Sequence, residues 1–110
     1  MQELNDVKEL VTSVLRYKKV DFLGDEWASN YKVDWREEFE VLMRDALGDM
    51  EKLSSALKSG DDVLAVAAIV MAKVRFLKLS DFFFGIHEDF EKLLHMKGFE
   101  WPIIPDDYVY

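Results

Sequence analysis

Leu4, Val7, Leu10, Val11, Val14 and Leu15 return at spacings of three and four, so the chain from about residue 3 to 19 predicts an amphipathic helix. Asn5 and Asp6 stand in its first turn, where a capping or anionic side chain meets unpaired N–H groups; Lys18 and Lys19 stand at the end where cations suit free carbonyls. The following stretch, VDFLGDEWASNYKV, has no sustained period. Gly24 interrupts it, and Trp27 and Tyr31 predict no more than a short helical turn inside a long connection.

VDWREEF opens a second helix. Asp34 can accept from the first backbone N–H groups, and Glu37, three residues on, supports the same end. Phe39, Leu42, Met43, Ala46, Leu47, Met50, Leu53 and Leu57 trace an apolar face until Gly60, which suits the left-handed residue that ends a helix. The chain restarts at once in SGDDVLAVAAIVMAKVRFLKL. Asp61 and Asp62 lie at the positive end of this third helix, and Lys73, Arg75 and Lys78 lie toward its negative end. Apolar residues occupy every side between Val63 and Ala72, so the helix is expected to be central and covered by neighbours. Ser80 and Asp81 predict a break before a fourth helix carrying Ile86, Phe90, Leu93 and Leu94 and stopped by Gly98; one bent helix over 62–97, weakest at 80–85, is the alternative. The fold class expected is all-α: one domain over residues 1–110, about four helices in a small bundle, and an irregular tail from 98 to 110.

That tail, FEWPIIPDDYVY, has two prolines, four aromatic residues and no Lys or Arg. Pro102 and Pro105 push the residues before them toward extended backbone, which excludes helix. Phe99, Trp101, Ile103 and Ile104 are expected to brace the bundle, and Asp106, Asp107, Tyr108 and Tyr110 to be presented to a partner, since aromatic residues beside acids suit a protein interface.

Composition sharpens this picture. The 110 residues contain no cysteine, which removes disulfides and thiolate metal sites. MQELNDVKEL is not a secretory leader, and the longest apolar run is far shorter than the roughly 20 residues of a membrane span, so a cytoplasmic location is expected. A net charge of −8 disfavours nucleic acid and anionic membranes as direct partners and favours a protein with a basic surface. The charge is concentrated: residues 34–62 hold nine acids and four bases. Within them Asp34, Glu38, Asp45 and Asp49 fall within about 60° of one another on a helical projection, a candidate docking stripe whose bland alternative is a solvated helix face.

Catalytic patterns are missing. There is no G-x-S-x-G, no phosphate-binding G-x-x-x-x-G-K-S/T and no G-x-G-x-x-G. His87, Glu91 and His95 share one helix face, yet eight residues rise about 12 Å, too far for both histidines to reach one ion. They read as flanking residues with weak i,i+4 support, and no metal, cofactor or catalytic residue is assigned. The function expected is therefore a small acidic protein-binding module: an inhibitor or immunity protein of the antitoxin kind that neutralises a basic partner such as a nuclease toxin. An accessory subunit held through apolar surface at Phe82, Phe83, Phe84 and the tail is the alternative, and a metal-dependent helical-bundle enzyme a more remote one. Association of the chain with its own copies is left open.

Overall fold

The computed structural model describes residues 3–98 and 100–110. The chain folds into α1 (Leu4–Tyr17), a short 3-10 turn (Gly24–Glu26), α2 (Trp35–Ser59) and α3 (Asp62–His95), with no strand among the described residues. The all-α expectation holds, with three long helices among the described residues rather than about four. No break occurs at Ser80–Gly85: α3 runs straight through, as the one-helix alternative had it.

Each boundary has a local cause. Glu3 begins α1 in a reciprocal box, its side chain taking the Asp6 N–H while the Asp6 carboxylate accepts from Glu3 N at 3.0 Å. Asp34 caps α2 by accepting from Glu37 N at 3.0 Å, and Asp61 caps α3 by accepting from Leu64 N at 3.0 Å. Gly60 ends α2 at φ 71°, a left-handed conformation, and Asp61 N returns to Ala56 O at 2.9 Å. α1 ends in the same way, with Val20 N bonded to Leu15 O at 2.8 Å and Lys19 N to Arg16 O at 3.0 Å. Here the left-handed position is Lys19, at φ 58°.

α2 and α3 form an antiparallel hairpin. Ala46, Ala56, Ala68 and Ala72 are buried along it, small side chains that let two helices pack side by side. α1 and the 18–34 connection close over its base, where Val11, Leu15, Trp27 and Leu93 form the core with Val14, Val20, Phe22, Tyr31 and Met96 against it. Aromatic contacts run on from Phe22 and Trp27 through Tyr31 and Trp35 to Phe82, Phe39 and Phe83. Gly85 sits inside α3 because the connection crosses it there: a Cβ would stand 3.0 Å from Ser29 Oγ.

The covering expected for α3 is incomplete. With only three helices, and α1 confined to the base, the far half of α3 packs on α2 alone; Val63, Val66, Val70 and Leu77 are more than half exposed. The tail also departs from expectation. Trp101 braces the base, its Nε1 donating to Leu93 O at 2.8 Å and its ring lying under Lys18 Nζ at 4.2 Å. Ile103 and Ile104 do not, being 92% and 74% exposed, and Phe99 lies outside the described residues.

A lysine at a left-handed position carries strain of about 1 kcal/mol that glycine lacks. Lys19→Gly is expected to stabilise the protein by up to about that amount, read as a rise in the urea midpoint with an unchanged slope.

Candidate functional site

The predicted docking stripe divides: Asp49, with Asp45 beside it, lies at the junction of α2 and α3, whereas Asp34 and Glu38 are on the outer surface. Asp49 is 4% exposed, and its Oδ2 accepts from Arg75 Nε at 3.3 Å; Arg75 Nη1 stands 4.0 Å from Asp45 Oδ2. Asp49 occupies the apolar register of Leu42, Ala46, Leu53 and Ala56, so helix packing carries it inward, and Arg75 in the facing register supplies the compensating charge. Asp49 is thus a fastening for α3 and is not offered to a partner, which corrects that part of the stripe.

Asp34 is exposed, but its carboxylate is engaged. Besides capping α2 it accepts from Asn5 Nδ2 at 2.9 Å, and Asn5 Oδ1 accepts from Trp35 N at 2.9 Å. The Asn5 hydrogen bond, followed by the Glu37 N–H, holds the Asp34 carboxyl below the usual aspartate range. Asp34 thereby ties α1 to α2. Of the four stripe residues, Glu38 and the half-exposed Asp45 keep carboxylate surface toward solvent.

Glu38 borders a cleft of about 570 Å³ between α2, α3 and the connection. Trp35, Leu42 and Phe82 supply its apolar wall, and the exposed Glu38, Lys78 and Asp81 its polar edge. Ser29 also lines it, with a buried Oγ that has no hydrogen-bond partner among the described residues.

Behind this cleft lies a residue that the sequence reading passed over. Asp89 is 1% exposed; its carboxylate accepts from Ala28 N at 2.7 Å, Ser29 N at 3.1 Å and Tyr31 Oη at 2.7 Å. Three donors from one connection converge on a single α3 side chain and fix the wall of the cleft. A signal existed: Asp89 shares the apolar register of Phe82, Ile86 and Leu93, and a carboxylate there must find donors. Burial, then the Asp89 hydrogen bond and charge, push the Tyr31 hydroxyl far above the ordinary tyrosine range, so it remains a donor and is no nucleophile.

His95 Nε2 lies 3.1 Å from Glu91 Oε1, and His87 Nδ1 lies 3.4 Å from Glu88 Oε1, two separate exposed pairs. Among the described residues no group of three or more His, Cys, Asp or Glu is placed to hold a metal ion, and no helix is long and apolar enough to cross a membrane. Asp106, Asp107, Tyr108 and Tyr110 are all exposed; the two aspartates form the centre of a turn closed by Tyr108 N to Pro105 O at 3.0 Å.

No protein-family model matches the chain, and no curated protein matches it. A solved structure does. It is described as a functionally unknown protein from Neisseria meningitidis MC58, and it superimposes with a TM-score of 0.81 at 25% identity, covering 94% of this chain and 100% of that one. The likeness spans nearly the whole fold and carries no assigned activity.

Two outcomes test this arrangement. Arg75→Met strands the buried Asp49 charge and is expected to cost about 2 kcal/mol in urea unfolding, whereas adding Asp49→Leu should recover most of the loss. Tyr31 keeps its proton in the folded state, so its stabilising contribution is complete below about pH 10, where an unfolded tyrosine ionises, and is lost as the pH rises beyond that. On alkaline titration Tyr31→Phe should therefore show the same phenolate absorbance rise as the parent while the fold persists, and a smaller rise only after unfolding.

Proposed function

We propose that the chain is a protein-binding module that occupies a basic surface of another protein, in the manner of an inhibitor or immunity protein acting on a nuclease toxin. One observation carries the reading. From Ile103 to Tyr110 the chain is irregular and exposed, joins four apolar or aromatic side chains and Tyr110 to two carboxylates, and contains no base. Such a segment offers large contact area with charge to orient it. Trp101 fixes its root on the bundle, which limits the entropy lost when a partner orders the remainder.

Glu38 extends the negative surface to the cleft, where Glu38 and Asp81 outnumber Lys78 beside Trp35 and Phe82 and suit a Lys or Arg side chain with an apolar stem. A net charge of −8 would speed encounter with a basic partner. The exposed apolar face of α3 favours a second reading, an accessory subunit held permanently in a larger complex.

The chain used as bait in a lysate of its source cells should retain a basic protein. Asp106→Lys with Asp107→Lys should slow association with that protein by about tenfold at low salt, an effect that fades as salt rises. Truncation before Asp106 should hasten dissociation by about tenfold, because aromatic anchors are lost. Unchanged rates in both variants, with the helical signal intact, would remove the tail from the function.

A further inference from the structure

The chain is too extended for a finished monomer. Its accessible surface is 8660 Å², whereas a compact monomer of 12.9 kDa exposes roughly 6,300 Å². Its radius of gyration is 19.6 Å, against about 13 Å for a compact domain of this length. The exposed tail contributes to the excess, and so does the outer face of α3.

That face is interrupted once. Val63, Val66, Val70, Val74 and Leu77 follow one another at helical spacing, and Phe84 resumes the line beyond Ser80 and Asp81; the six are 83%, 62%, 51%, 40%, 61% and 58% exposed. Val63, Val70, Leu77 and Phe84 lie seven residues apart, the repeat of a helix–helix seam. The stripe runs about 32 Å along the axis and then gives way to Glu88, Glu91 and His95. It faces away from α2, and no other described helix packs along its outer half.

We infer that a second copy of this chain covers the stripe, the two α3 helices packing along each other about a two-fold axis. Charge distinguishes this occupant from a basic one. Between Val63 and Ser80 α3 holds no carboxylate, Asp81 being the first; Lys73 and Lys78 flank the stripe while Arg75 turns inward to Asp49, so a basic protein finds little there to attract it. For another acidic chain of net charge −8 the same face is where approach meets least repulsion. Shape agrees: a paired hairpin supplies a matching apolar face of the same length, and a two-fold contact needs only one self-complementary patch. Area agrees too. If half of the excess, about 1,200 Å² per chain, were covered, the pair would bury about 2,400 Å² in all, within the range of permanent homodimers. The pairing also covers the side of α3 that α2 leaves bare, as its apolar sequence requires.

Sedimentation of the full chain should give twice the 12.9 kDa mass across the micromolar range. Val70→Asp with Leu77→Asp should halve that mass or leave the chain unable to fold. Because either result is informative only alongside a folded control, cysteine is placed singly at Val70, Val74 and Leu77 in this cysteine-free chain. At least one of these should oxidise to a disulfide-linked dimer, and Ser54→Cys, on the outside of α2, should not. A wild-type monomer overturns the inference, as does a dimer in which none of the three positions cross-links. So does a monomer that pairs one-to-one with a different protein through this stripe. Partner capture through the tail is read independently of all these outcomes.

Discussion

A single buried carboxylate holds the base of this protein together. Asp89 gathers two backbone N–H groups and the Tyr31 hydroxyl from the same connection, so a stretch without regular structure becomes a fixed wall over α3. Through Tyr31 the anchorage reaches Trp35, the buried start of α2, and through Trp27 it reaches the α1 core. Lys92, one turn from Asp89, donates to Glu26 O at 2.6 Å and lies over the Trp27 ring at 4.5 Å, fastening the other side of the connection. An unpaired carboxylate in that position would be strongly destabilising; with three donors it selects one conformation of the loop.

Charge in this molecule divides between internal fastening and display. Asp34, Asp49 and Asp89 are committed to caps, an ion pair and a loop anchor, although the chain as a whole is acidic. The carboxylates on display include Glu38 and Asp81 at the cleft, Glu40, Asp45 and Glu51 along α2, and Asp106 and Asp107 on the tail. An acidic total therefore says little about an acidic surface until each carboxylate is placed, because a capping or paired acid has already spent its hydrogen-bonding capacity.

The two exposed regions differ in chemistry, and the partners proposed for them differ accordingly. The tail combines aromatic area with carboxylates and suits a basic surface. The α3 stripe is almost uncharged and long, and it suits another helix of the same kind. Both lie on one protein without competing, since the tail is rooted by Trp101 at the base and the stripe begins at the far end of the hairpin.

The sequence by itself determined the helices and several of their ends. Asp34 and Gly60 act where the capping rules put them, because caps depend on a few neighbouring residues and their backbone. It also made the all-α class clear through sustained periodicity. It did not decide that Ser80–Gly85 stays helical: a polar pair and a glycine weaken a helix locally, but packing of the connection over Gly85 and of Phe82 against Trp35 outweighs that preference. Nor did it separate presented acids from engaged ones. Asp49 and Asp89 betray themselves by register, yet which donor answers each depends on Arg75, 26 residues away, and on Tyr31, 58 residues away. Only the tertiary structure decided those pairings, and with them which apolar face of α3 was left uncovered, because both depend on how whole helices stack and not on any one of them alone.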